Sequence, residues 1–266
     1  MPVEVSGVAD PAAGPLPTAP LATMSRGHRV RRWVGAALLI LVALGVLLVA
    51  VLWAVTPSGS DLQARVGAVA SADHVTVLRP GEVPPLLAEA VVAVEDERFY
   101  QHHGIDVLGL GRAALYDLSH ACACQGGSTI TGQLVKLVYL GGSDTGLAKL
   151  AELTLAFKVE LQFDKQQILA DYLSIVPSGY GRIGMAAAAC ADFHRPLDAL
   201  DLGEVAVLAG MPQAPSAYDP LLHPDLARAR RATVLQAMLE DGYVTAEMAA
   251  GAGGEPVVLP PTAGGC

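Results

Sequence analysis

Lysine and aromatic side chains are scarce in this sequence. Lysine occurs only at positions 136, 149, 158 and 165, and Phe, Trp and Tyr together make up 5% of residues. No dense basic patch exists beyond the N-terminus and the formal net charge is −9, which excludes nucleic acid as the expected partner. The four cysteines, Cys122, Cys124, Cys190 and Cys266, form no metal-ligand pattern, because a C-x-C pair with two distant singles lacks zinc spacing. Cys122 and Cys124 are not expected to bond each other, and a bridge from one of them to Cys190 is disfavoured. What the chain has in abundance is Ala, Leu, Val and Gly, a composition suited to a helical protein with small-residue helix contacts. Its 266 residues allow one medium domain plus appendages.

Residues 1 to about 24 carry Pro, Ala, Gly and Val without periodicity and read as a disordered tail. Arg26, His28, Arg29, Arg31 and Arg32 follow, giving residues 1–32 a basic end, and an uncharged run then extends from Trp33 to Val55. That run is long enough to cross a bilayer. Arginines before it place the N-terminus in the cytoplasm, and Trp33 and Trp53 sit where interfacial aromatics belong. A cleaved signal peptide is the rival reading, but the apolar run exceeds a usual signal core and Thr56–Gly59 is only a fair cleavage site. An uncleaved anchor over 33–55 is therefore expected, with everything after Thr56 outside the cytoplasm. Residues 56–74 read as a linker with a short helix, and Val75–Leu78 as a short strand before the turn at Pro80-Gly81.

The rest of the chain is organised around Ala93–Asp106, AVEDERFYQHHGID. Pro84 and Pro85 open an apolar helix that delivers Glu95, Asp96, Glu97 and Arg98 in succession, and Gly104 is set to break it. Neighbouring helical positions point about 100° apart, so Glu95 and Asp96 cannot face the same way. Glu95 continues the register of Leu87, Val91 and Val92 more closely than its neighbours do. A carboxylate on the buried side of a helix end is costly to ionise, which raises its pKa toward general-base range; the alternative is an ordinary charge cluster closing a helix. Val107–Ala121 then reads as a helix apolar on most faces, suited either to a membrane surface or to a core.

Next comes QGGSTITGQLVKLVYL, Gln125–Leu140. Gly126-Gly127 gives a permissive turn, and Ser128 or Thr129 can cap the helix beginning there. Gln133 and Lys136 share a helix face. A helix start with free amides, hydroxyls and a lysine suits an anion such as pyrophosphate; a well-capped structural helix is the competing reading.

These two stretches, Glu95-Asp96-Glu97-Arg98-Phe99 with His103-Gly104-Ile105-Asp106, and Gly126–Thr131 with Gln133 and Lys136, resemble the motifs of glycosyltransferase family 51. That family comprises the monofunctional peptidoglycan transglycosylases and the transglycosylase domains of class A penicillin-binding proteins. Downstream, Glu152 falls where the family carries its second essential glutamate, Lys165–Ser174 is similar to its fourth motif, and Asp201–Pro220 is similar to its closing segment. The resemblance covers about Val75 to Ala250.

The resemblance implies a mainly α protein: an N-terminal transmembrane helix, then a lysozyme-like bilobed helical domain over 75–250 and a flexible tail over 251–266. It implies an enzyme of the cytoplasmic membrane that polymerises lipid II with inversion, on the outer face. Catalytic roles fall to Glu95, as base on the acceptor 4-hydroxyl, and to Glu152. Asp96, Arg98, Phe99, Arg112, Ser128, Thr129, Gln133 and Lys136 fall in substrate-binding positions. The partners implied are lipid II, the growing lipid-linked glycan, the membrane and other wall-synthesis proteins. Magnesium or manganese often helps the family, although no feature of this sequence establishes a metal site, and His103 takes a packing role beside its glycine. Serine motifs of a transpeptidase are absent, so one activity is expected.

The sequence also departs from the family pattern. Gly132 stands where a glutamine is usual, Leu137 replaces an asparagine, and of the basic cluster before Glu152 only Lys149 is kept. Ala170 replaces a glutamate, Ser174 an asparagine, and Ile183 a common arginine beside Arg182. Each lost charge-assisted hydrogen bond to a pyrophosphate is worth about 1–3 kcal/mol. The alternatives are thus a catalytically impaired lipid II-binding or scaffold protein of the same fold and, third, a lytic enzyme.

Overall fold

A computed structural model of the chain describes residues 26–120, 127–143, 145–179 and 181–254, side chains of 26–29 and 114 excepted. The expected tails at 1–25 and 255–266 lie outside these residues. Contacts divide the chain into two units, Met1–Ala50 and Val51–Cys266. The first is carried by helix α1, Arg26–Val55. Its stretch from Val30 to Val55, 26 residues with none of its side chains buried in the protein, is about 39 Å long at 1.5 Å per residue. A hydrocarbon core of about 30 Å accommodates it.

The second unit is mainly α-helical, and among the described residues extended pairing is confined to one bridge between Pro177 and Ile183. Helices α2 (Leu62–Ala72), α3 (Pro85–Glu95), α4 (Val107–His120), α5 (Ile130–Tyr139), α6 (Gly146–Glu160) and α7 (Lys165–Ile175) come first. They are followed by α8 (Met185–Phe193), α9 (Leu202–Gly210), α10 (Pro224–Glu240) and α11 (Ala246–Gly254). Local chemistry fixes the starts. Thr129, Thr145 and Asp164 accept backbone N–H bonds from Gly132, Ala148 and Gln167. At α9, Asp201 and Glu204 cap each other reciprocally at 2.9 and 3.0 Å, satisfying donors a helix start otherwise leaves open.

Small residues let α9 lie at the centre: Gly203 through Gly210 are all buried. α9 packs against α3 and α10, which also pack on each other, while α5 packs against α6 and α7. The core joins Leu87, Val91 and Val92 of α3 to Leu134 of α5, Leu155 of α6, Tyr172 of α7, Leu208 of α9 and Val234 of α10.

Two expectations are corrected here. The 56–74 segment is not a linker, because α2 buries Leu62, Val66 and Ala70 in the core and packs on α7 and α5. Val75–Leu78 is not a strand; the Leu78 amide donates to the Ser174 hydroxyl at 2.8 Å instead of to a sheet partner. Cys190 is disulfide-bonded; Cys122, Cys124 and Cys266 lie outside the described residues, and with them the expectations about their pairing.

A buried lysine secures the entry into this unit. The Lys158 ammonium donates to the carbonyls of Trp53, Thr56 and Pro57 at 2.7–3.1 Å and to the Thr56 hydroxyl at 3.0 Å. It also lies 4.9 Å from the Trp53 ring centroid. A cation at a helix C-terminus meets the negative end of the helix dipole and its unpaired carbonyls. The chain is equally fixed at Gly104, which has φ +78° and lies so close to α6 that a Cβ would sit 2.5 Å from the Ala156 carbonyl carbon. Gly104→Ala is expected to destabilise the protein by about 2–4 kcal/mol, from left-handed strain plus overpacking. Denaturant unfolding of the purified chain measures it.

Candidate active site

Helix α3 runs out at Glu95, and its buried register carries that side chain inward: 9% of it is exposed. The two carboxylate oxygens are held from different helices. Oε2 accepts from Gln133 Nε2 of α5 at 2.8 Å, and Oε1 lies 3.4 Å from Nη2 of Arg230 on α10. Gln133 is itself oriented, since its Oε1 accepts the Tyr172 hydroxyl of α7 at 2.8 Å. Burial pushes the Glu95 carboxyl above the ordinary glutamate range; the Gln133 hydrogen bond and the Arg230 charge oppose this, and the neighbouring Asp96 charge adds to it. Burial, and then the charge of Glu95, push the Tyr172 phenol well up, so Tyr172 stays protonated and donates. That fixes which end of the Gln133 amide faces Glu95.

Beside Glu95 opens a cavity of about 190 Å³ lined by Glu95, Asp96, Glu97, Asp106, Arg112, Ser128 and Thr129, with the backbone of Gly109 and Gly127. Its far wall is the start of α5. Ser128 contributes a hydroxyl that accepts from Lys149 Nζ at 2.8 Å, and the same ammonium pairs with Glu152 at 2.5 Å. Lys149 is 38% exposed while Glu152 is buried. A cation is thus relayed to the cavity edge through a hydroxyl.

Several expected contacts go elsewhere. Phe99 is fully buried, packed edge-on to Tyr100 and His102 with the Lys165 ammonium 4.3 Å from its ring centroid; it is a core residue and not a substrate-binding one. Asp96 lines the cavity, but its oxygens accept from His102 Nε2 at 2.9 and 3.1 Å and from the Ile130 amide at 3.0 Å. Thr129 donates to the Gly104 carbonyl at 2.8 Å and accepts the Gly132 amide at 3.0 Å. Of the amides at this helix start, those of Ile130 and Gly132 are therefore already capped.

Arg98 is paired with Asp106. Burial pushes the Asp106 carboxyl up, but the hydrogen bonds from Arg98 and the Gly109 amide outweigh it and hold it below its usual range. Arg112 pairs with Glu97 at 2.9 Å at the surface. Arg182, adjacent to the unusual Ile183, is bound to Asp192 and Asp219 at 2.7 and 3.1 Å. Lys136 follows Gln133 by one turn of α5 and is half-buried. Gly132 has a local reason: a Cβ there would lie 2.8 Å from Glu152 Oε1, so the carboxylate occupies the space a glutamine stem would need.

The sequence reading did not select Arg230, Tyr172 or Lys149 as site residues. Lys149 stood out as the one cation kept before Glu152, and Tyr172 as a position of the fourth motif. Arg230 lies within an arginine-rich helix and carried no signal of its own. No group of three or more His, Cys, Asp or Glu among the described residues is arranged to hold a metal ion. Glu152 is bonded to Lys149. The described residues present no donor set of that kind for a metal.

The sequence profile of the Transglycosylase family matches residues 63–239. The chain belongs to that family. It is 44% identical over 164 residues to penicillin-binding protein 1A of Escherichia coli, covering 62% of this chain and 19% of that protein. It is also 42% identical over 178 residues to penicillin-binding protein 1F of Bacillus subtilis, covering 67% and 25%. The crystal structure of penicillin-binding protein 1A from Haemophilus influenzae aligns with a TM-score of 0.43 and 25% identity over 69% of this chain and 18% of that one. The chain thus spans about a fifth to a quarter of the length of these relatives.

Asp96 ties the central loop to α5 through the Ile130 amide. Asp96→Asn, which replaces one acceptor oxygen by a donor, is expected to cost roughly 1–3 kcal/mol of stability. Hydrogen exchange at the Ile130 amide is expected to accelerate in the same variant.

Proposed function

We propose that this domain is a peptidoglycan glycosyltransferase that polymerises lipid II at the outer face of the cytoplasmic membrane. The observation that carries the reading is Glu95: a buried carboxylate with raised pKa, oriented by partners on two helices, at the wall of a cavity bordered by the Ser128 hydroxyl, which accepts from Lys149. Glu95 takes the proton from the acceptor 4-hydroxyl as that oxygen bonds to the donor anomeric carbon. The bond from that carbon to the polyprenyl pyrophosphate breaks on the opposite side, which inverts the centre. Lys149, acting with Ser128, and Lys136 supply positive charge for the departing pyrophosphate. Glu152 holds the Lys149 ammonium in place rather than meeting the substrate directly.

The substrates' lipid chains set the location. Helix α1 anchors the chain, and the N-terminal arginines place its start in the cytoplasm. On α4, Val107, Leu108, Leu115 and Leu118 are each at least 70% exposed, an apolar surface that supports membrane contact over core packing.

A second reading, a lipid II-binding relative with little turnover, is favoured by one observation: Arg98, Arg112 and Arg182 are all committed to carboxylates. Incubating the detergent-solubilised chain with labelled lipid II separates the two. Native protein is expected to yield polymer, and Glu95→Gln to lower the rate by about 10²–10⁴-fold. Bound lipid II without polymer supports the second reading, and a chelator arm tests the magnesium or manganese assistance that the family resemblance implies. Because the base must be ionised and burial raises its pKa, the rate is expected to fall on acidification above the ordinary glutamate value of about 4.3.

A further inference from the structure

We propose that Arg230 is a positioning residue for this reaction: from α10 it pins one oxygen of Glu95 and supplies the charge against which the carboxylate is held ionised. The inference rests on the proposed role of Glu95 as base. Arg230 and Glu95 are 10% and 9% exposed, so neither has water enough to stand in for the other. The guanidinium is fixed independently of Glu95. Its Nε donates to the Gly210 carbonyl at the end of α9 at 3.1 Å, and its centre lies 5.7 Å from the Tyr218 ring centroid. Gly210 leaves room for the arginine stem, since a Cβ there would sit 2.7 Å from Arg230 Cγ.

The separation decides what the pair does. At 3.4 Å the contact is well beyond the 2.7–2.9 Å of a tight charge-assisted bond. A tight bidentate pair would stabilise the carboxylate so far that it would be a poor proton acceptor. A guanidinium at this distance opposes the cost of burying a charge while leaving Oε1 its basicity. Other groups facing Glu95 do not replace it. Asp96, next in the chain, has the wrong sign; Gln133 on α5 is neutral; Tyr172 on α7 is a protonated phenol. α9 brings only Glu204 as an ionisable side chain, and that pairs with Arg195 at 3.1 Å. Once Glu95 has accepted the hydroxyl proton, Arg230 faces a neutral acid, which favours proton release before the next cycle.

The test uses the 266-residue chain in detergent with lipid II as substrate, comparing native chain, Arg230→Gln, Arg230→Lys and Glu95→Gln. Two quantities are read against pH: the polymerisation rate, and the carboxylate infrared band that Glu95→Gln removes. Arg230→Gln is expected to move both acid midpoints up by about one pH unit or more, with activity recovering as pH rises. Arg230→Lys is expected to hold the midpoints near those of the native chain. Gly210→Ala, whose methyl displaces the arginine stem without removing its charge, is the second variant should Arg230→Gln not fold, and shifts the midpoints in the same direction. Unchanged midpoints with a rate lowered equally at every pH overturn the proposal, as does Arg230→Lys behaving like Arg230→Gln. If the native chain forms no polymer, the glycosyltransferase reading fails, while the infrared midpoints still report whether Arg230 holds the charge of Glu95.

Discussion

A carboxylate withdrawn from water must be given partners, and in this protein that constraint joins four helices. Glu95 at the end of α3 is held by Gln133 of α5, whose amide is turned by Tyr172 of α7, and faces Arg230 of α10. None of these partners is near it in sequence. Each must arrive through the packing of its own helix, so the core under the site is also the device that sets the site's electrostatics. The buried small-residue helix α9 is central to this, because it lets α3 and α10 approach from either side and offers its last carbonyl to Arg230.

A second consequence concerns the other charges. Cations are few in this chain, and the structure spends most of those near the central loop on carboxylates: Arg98 on Asp106, Arg182 on Asp192 and Asp219, Lys165 on Glu160. Lys158 meets no acid among the described residues, and caps the exit of α1 instead. Lys149, itself paired with Glu152, reaches the cavity edge through the Ser128 hydroxyl. Loss of the basic cluster before Glu152 and the presence of Gly132 belong together in this light. With no side chain at position 132, Glu152 folds back onto α5 and takes Lys149 with it.

Local signals in the sequence were legible because their causes are local. The uncharged run before Val55 marks α1, Pro85 opens α3, Thr129 caps α5, and the register of Leu87, Val91 and Val92 turns Glu95 inward. Signals failed where burial depends on distant partners. Phe99 sits beside charged residues in a motif, yet Lys165 and His102 close over its ring. The α5 amides looked available for an anion until Asp96, more than thirty residues earlier, accepted the Ile130 amide. α2 read as a linker because its apolar face is short, and only α5 and α7 show that this face is covered.

By itself the sequence determined the membrane-spanning length, the helical class, the motif order that marks the family and the identity of the inward glutamate, since each follows from composition, period or capping within a few residues. Tertiary structure alone decided that Arg230 faces Glu95, that Tyr172 orients Gln133, and that Arg98, Asp96 and Thr129 are engaged elsewhere. The physical reason is that the ionisation of a buried group depends on charges and dipoles within a few ångströms, and folding brings those from helices far apart in the chain.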